Sequence, residues 1–257
     1  MKDGPLEKLP GHWLLAAMGK KVLRPGGKEL TTSLIDAMNI GSEDDIVEFA
    51  PGLGFTASLA LKQDPKSYTA IELDEDAAED LSHIISGDHC RIIQADASQT
   101  PLEPNAVNKV YGEAMLTMQA DHRKAEIIGE AHRILKPGGL YGIHELGLVD
   151  IRSEDHKAAI QKELAKTIRV NARPLSRDEW ITLIEQQGFE VINIKTNAMK
   201  LLEFSRMVDD EGFLRALKIC FNITARPKVR RRILAMRGVF TKYQEHMNAI
   251  AVVARKK

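Results

Sequence analysis

The segment Val47-Glu48-Phe49-Ala50-Pro51-Gly52-Leu53-Gly54 constrains the fold more than any other. It sets a glycine-bearing loop between an apolar run and a helix start at Phe55-Thr56-Ala57. Such a turn brings backbone close to a ligand and points the unpaired amides of a helix N-terminus at it. Gly52 to Ala57 also fits the G-x-G-x-x-A pattern of dinucleotide-binding loops, and Glu72 follows Gly52 by twenty residues at the end of the next apolar run. A carboxylate at that place accepts hydrogen bonds from ribose hydroxyls. Loop and acid together predict an adenosine-containing cofactor, and leave NAD and S-adenosylmethionine both open.

The remaining pattern builds a sheet around this loop. Apolar runs at Asp45–Ala50, Tyr68–Leu73, Arg91–Ala95, Lys109–Gly112, Leu140–Leu146, Glu190–Lys195 and Asn248–Ala254 predict seven strands. The first five are separated by crossovers long enough for helices, the signature of βαβ units. Ile127, Ile128, Ala131, Ile134 and Leu135 fall on one face of a helix over Arg123–Leu135, which Pro137-Gly138-Gly139 is expected to end. Ser176 and Glu179 form a capping box for a second helix with a buried stripe of Trp180, Leu183 and Ile184, closed by Gly188. The expected fold is α/β: a Rossmann-like, seven-stranded, mostly parallel sheet with helices on both faces and the last strand antiparallel. Residues 1–40 read as an N-terminal helical cap and 41–257 as the cofactor-binding domain. Helical insertions at about 150–175 and 197–245 lie where they can form a lid over the ligand crevice.

Composition narrows the function. The chain has 257 residues, 44% of them apolar, enough for one α/β domain with a real core. Lysine plus arginine equals aspartate plus glutamate at 36 each, so no global charge draws it to nucleic acid. Cys90 and Cys220 lie far apart and read as reduced thiols, and no metal is expected. The apolar run Trp13 to Met18 is too short to span a bilayer and follows Pro10-Gly11-His12 rather than a basic region, so it reads as an amphipathic helix of a cytoplasmic protein.

Three features separate the two cofactors. Glu48 ends the first strand, where its charge would repel a pyrophosphate but suits an α-amino group and a sulfonium. Asp96-Ala97 follows the third strand directly, placing an acid toward the adenine amino group. The long insertion before a terminal strand resembles a reversed hairpin finish, whereas a nicotinamide-binding sheet ends with further parallel units. With Ile71-Glu72-Leu73-Asp74, Ile93-Gln94-Ala95-Asp96-Ala97 and Arg133-Ile134-Leu135-Lys136-Pro137-Gly138-Gly139, the chain resembles the class I S-adenosylmethionine-dependent methyltransferases. It looks most like the small-molecule branch related to the ubiquinone and menaquinone biosynthesis enzymes.

The resemblance implies transfer of a methyl group from S-adenosylmethionine to a small molecule, leaving S-adenosylhomocysteine. It implies that Glu48 and the loop Ala50, Pro51, Gly52 and Gly54 hold the methionine part. Glu72 then takes the ribose, Leu73 packs on adenine, Asp96 and Ala97 meet its edge, and Glu113 lines the transfer pocket. Ala50 stands where the family usually has a glycine, and Asn108 where it usually has an aspartate. Glu113 and His144 are the candidate proton acceptors, with Glu145 as pocket lining; His144 reads equally as a hydrogen-bonded strand residue. Tyr111 reads as core, and His122 as a helix cap. Arg226, Lys228, Arg230, Arg231, Arg232 and Arg237 form a basic stretch, read as a solvated helix face or as a lid recognising an anionic group on the acceptor. An NAD(P)-dependent oxidoreductase and a non-catalytic cofactor-binding scaffold are the rival readings. The chain is expected to be a monomer or homodimer.

Overall fold

The computed structural model describes residues 5–257, so residues 1–4 of the expected N-terminal cap lie outside the described residues. Two helices lead in, α1 (Gly11–Ala17) and α2 (Gly27–Met38). Then strands and helices alternate: β1 (Asp45–Phe49), α3 (Phe55–Leu61), β2 (Ser67–Glu72), α4 (Glu75–Ser82), β3 (Cys90–Gln94), β4 (Val107–Glu113), α5 (Asp121–Ile134) and β5 (Leu135–Leu148). Helix α6 (Glu154–Ile168), the two-residue strand β6 (Leu175–Ser176), α7 (Arg177–Gln186) and β7 (Phe189–Ala198) follow. Three consecutive helices, α8 (Phe204–Glu211), α9 (Phe213–Thr224) and α10 (Pro227–Lys242), precede β8 (Met247–Lys256).

The main sheet runs β3-β2-β1-β4-β5-β8-β7. All of its pairings from β3 to β5 are parallel, and β8 inserts antiparallel between β5 and β7. The seven predicted strands are therefore all present and the last is the antiparallel one. An eighth strand, β6, pairs with β5 and had no sequence signal, being only two residues long and merged with the capping box. The order reverses between β1 and β4, so the carboxyl ends of those strands flank a crevice in which a ligand can bind.

The helix ends ahead of Pro137-Gly138-Gly139 as expected, but those residues join a strand rather than a turn. Helix α5 stops at Ile134, and the three residues lie within β5, which pairs Leu135 with Val107 and then Leu140 with Lys109 across a register shift. Gly138 has φ +78° there, so the stretch bulges from the ladder rather than closing the helix. His122 likewise caps nothing, because Ala120 holds the N-cap position. The insertion expected from 197 begins only after β7 ends at Ala198.

Three apolar cores result. One lies between the sheet and α5 and α7, where Trp180 is fully buried and donates through Nε1 to Leu146 O at 3.2 Å. A second packs α2, α3 and α4 on the opposite face through Leu34, Met38, Ala60 and Leu81. The third belongs to the added helices and joins Leu15, Leu164, Met199, Met236 and Phe240 above the sheet's carboxyl edge. Trp180→Ala removes the largest buried side chain and leaves a void, and is expected to cost about 3–5 kcal/mol, lowering the melting temperature by roughly 10 °C in a thermal scan.

Candidate functional site

The loop after β1 takes a sharp left-handed course. Ala50 (φ +51°), Gly52 (φ +55°) and Gly54 (φ +70°) all occupy conformations that suit glycine. Ala50 thus adopts the geometry that the family's usual glycine supplies, at a cost of roughly 1–2 kcal/mol, and its amide donates to Ile71 O at 2.8 Å. A side chain built on Gly52 would meet nothing within 4 Å, so this backbone borders open space. Glu72 is buried at the end of β2. Its Oε1 accepts from the amides of Leu73 (2.9 Å) and Asp74 (3.1 Å), and its Oε2 accepts from Gly52 N at 3.4 Å. Leu73 is 65% exposed, an apolar side chain held out beside that carboxylate.

Glu113, at the end of β4, is the most heavily engaged acid in the site. Arg24 from the N-terminal arm forms an ion pair with it and also donates to Thr56, whose hydroxyl donates to the same carboxylate. Thr31 Oγ1 donates to its other oxygen at 2.8 Å, and His144 Nδ1 lies 2.7 Å from that oxygen. Burial alone would raise the Glu113 carboxyl, but Arg24, His144 and Thr56 together bring it down to about 2. His144 Nε2 donates to Pro25 O, so both ring nitrogens are engaged, and the ring is fully buried off the cavity wall. His144 is therefore placed to hold Glu113 and the arm rather than to take a proton. Glu145 is equally committed: it accepts from the amides of Met115, Leu116 and Thr117 and from the Thr117 hydroxyl, at 2.7–3.0 Å, closing a 3-10 turn over Leu116–Met118.

Two expected site acids are not on the wall of the site's cavity. Glu48 points under the sheet, where Tyr68 Oη (2.6 Å) and Tyr111 Oη (3.0 Å) both donate to its Oε2. Burial, with the like charge of Glu113 adding, pushes its carboxyl up to about 7 against those two bonds. Tyr111 is core, as expected. Asp96 is half-exposed, paired with Arg123 at 2.6 Å, and neither it nor Ala97 borders the cavity. Gly54 also lies off the wall, its face packed on Leu81 and Ile84.

Ala50, Pro51, Gly52, Glu72, Leu73 and Glu113 do converge, on one cavity of about 500 Å³. Its other half comes from residues that the sequence did not single out: His12 and Trp13 of α1, and, within the two insertions expected near the crevice, Leu164 and Ile168 of α6 and Met199, Leu201, Met236 and Phe240. Isolated apolar residues in helices have no local pattern that distinguishes a cavity wall from a core. Burial lowers the His12 imidazole to about 4, so it is neutral at physiological pH. The basic stretch is absent from the wall, whose cations are Lys21 and Arg24. Cys90 and Cys220 are free thiols. Among the described residues there is no cluster of three or more potential metal ligands, and no helix long and apolar enough to cross a membrane.

Residues 47–143 match the family model described as a methyltransferase domain. An uncharacterized protein of Haemophilus influenzae is 32% identical over 250 residues, covering 96% of this chain and 98% of that one. Sterol 24-C-methyltransferase ERG6B of Gibberella zeae is 29% identical over 110 residues, 41% of this chain and 28% of that protein. Among solved structures, phosphoethanolamine N-methyltransferase 2 of Haemonchus contortus, in complex with S-adenosyl-L-methionine, superposes with a TM-score of 0.71 at 16% identity, covering 95% of this chain and 57% of that one.

The position of Glu48 has a consequence for stability. Its carboxyl ionises near pH 7 in the fold but near 4.5 when unfolded, so it costs the fold stability as the pH rises from 4.5 through 7. Glu48→Gln is expected to be more stable than the wild type at pH 8, by on the order of 3 kcal/mol, and equal to it near pH 4. Urea denaturation at the two pH values reads this difference directly.

Proposed function

We propose that the chain, whose residues 47–143 match a methyltransferase domain, is a class I S-adenosylmethionine-dependent methyltransferase that methylates a largely apolar small molecule by direct displacement. The observation that carries this reading is the undivided cavity, which joins the Glu72–Leu73 edge to an apolar half walled by Trp13, Leu164, Met199, Met236 and Phe240. The methyltransferase-domain match favours this reading over the oxidoreductase and scaffold alternatives.

The residues present fit the cofactor. The open space beside Gly52 takes a group that a side chain would otherwise fill. Glu72 keeps acceptor capacity beyond its three amides for ribose hydroxyls. Leu73 offers an exposed apolar face for adenine, and Arg24, fixed by Glu113, presents positive charge toward a carboxylate. We assign no direct contact to Glu48, Asp96 or Ala97. S-adenosylmethionine, when bound, supplies a methyl group on a sulfonium that leaves without acid assistance.

The chain's own contribution is alignment and exclusion of water by α1, α6 and α10. Glu72, Glu113 and Glu145 each accept three or more hydrogen bonds, which supports a reaction without a carboxylate base. His12 is the only imidazole on the wall and has no hydrogen bond among the described residues, and its lowered basicity further favours an acceptor that need not lose a proton.

Saturating S-adenosylmethionine or S-adenosylhomocysteine is expected to raise the melting temperature by roughly 5–10 °C, with no shift from NAD. Glu72→Ala should lose that shift. Phe240→Ala should keep it while losing turnover on an apolar acceptor. Retention of turnover with loss of the shift in Phe240→Ala would overturn the division of the cavity.

A further inference from the structure

The late insertion that roofs the cavity has an outer surface unlike the rest of the molecule. Residues 212–243 carry nine Lys or Arg and no Asp or Glu, in a chain whose 36 basic and 36 acidic residues balance only overall, so the rest of the molecule is net negative. Arg232 turns inward to Glu7 O and Leu9 O, Lys228 pairs with Glu7, and Lys242 with Glu163. Arg226 donates to Asn222 O. Arg215, Lys218, Arg230, Arg231 and Arg237 are exposed and have no ion pair among the described residues.

Apolar side chains stand among these cations. Phe213, Leu214, Leu217 and Phe221 of α9 share one face by helical spacing, with Leu214 81% and Phe221 71% exposed. Ala216 and Ile219, on the other face, are buried against the molecule. Lys218 borders the exposed stripe. On α10, Leu234 is exposed within one turn of Arg230, Arg231 and Arg237, while Met236 and Phe240 on the inner face reach the cavity. Both helices therefore have a packed inner face and an outer face that mixes large apolar groups with unpaired cations.

We propose that the outer faces of α9 and α10 dock on the surface of a bilayer containing anionic lipid. Apolar side chains entering the headgroup boundary while cations meet lipid phosphates is the arrangement an interfacial helix needs. A nucleic acid would meet the cations but leave Leu214, Leu217 and Leu234 in water. A second copy of this chain placed symmetrically would bring the two cationic surfaces against each other. Docking through this surface requires no particular methyl acceptor.

Co-sedimentation of the full chain with vesicles tests it. The wild type is expected to pellet with phosphatidylcholine–phosphatidylglycerol vesicles at low salt, and about ten-fold or more weakly with phosphatidylcholine alone or in high salt. Leu214→Ser with Phe221→Ser should reduce pelleting on mixed vesicles by about ten-fold or more, since two exposed apolar anchors are lost. Arg230→Glu with Arg231→Glu should remove the preference for anionic vesicles. All variants should keep the melting shift with S-adenosylmethionine, which shows an intact fold and separates this result from the acceptor reading. Wild-type protein that stays in the supernatant overturns the proposal. So does a concentration-dependent dimer, without vesicle binding, that the serine variant dissociates. So does binding to RNA that depends on the arginines but not on Leu214 and Phe221.

Discussion

The buried carboxylate of Glu113 is the interaction on which the site depends. It ends β4 at the place where the sheet reverses direction, and it gathers Arg24 from the N-terminal arm, Thr31 from α2, Thr56 from α3 and His144 from β5. A charge so placed is tolerated only when fully paired, and removing one partner of such a group typically costs about 3–5 kcal/mol. Arg24 also lies over the Phe55 ring, 5.5 Å from its centroid, at the first residue of the helix that follows the glycine loop. Arm, loop helix and two central strands are thereby fixed to one another through a single side chain.

The arm is held from the other side as well. Lys20 is buried against Asp210 at 3.4 Å, and Glu211 accepts from the amides of Lys21 and Val22. Asp210 also accepts from Lys28 N, at 2.8 Å. Residues 20–28 therefore bridge the sheet edge and α8, the first helix of the late insertion. The two segments that the sequence separates by some hundred and eighty positions form one wall because opposite charges at their ends are buried together.

The strands, the reversal of the last one, the capping box and the Gly52–Glu72–Leu73 edge were legible in the sequence, because each rests on a local pattern of spacing or turn chemistry. The side-chain direction at a strand end was not. Glu48 sits where the loop predicts a ligand contact, yet Tyr68 on β2 and Tyr111 on β4 reach it beneath the sheet, and neither neighbour is local in sequence. Asp96 pairs with Arg123, in the first turn of α5, a partner that no local pattern announces. Pro137-Gly138-Gly139 carries a turn signal that a helix end and a strand bulge share, and only the pairing of β5 with β4 tells them apart. His12 and Phe240 had no pattern at all, since a cavity wall is defined by what fails to fill the space before it.

The cavity's two halves consequently answer to different constraints. The edge from Ala50 to Leu73 is built on parallel strand ends and on backbone angles that few residues can adopt. The far wall is built from side chains on α1, α6 and α10, whose only requirement is to pack and remain apolar. Substitutions among Trp13, Leu164, Met236 and Phe240 can reshape the apolar half with no change at Gly52 or Glu72, because among the described residues no hydrogen bond runs from those four side chains to the loop. Arg24 is the exception: it borders the cavity, touches the loop helix and belongs to the arm. The coupling between what binds at one end and how the other end closes therefore passes through the Arg24–Glu113 pair, and a change there alters both halves together.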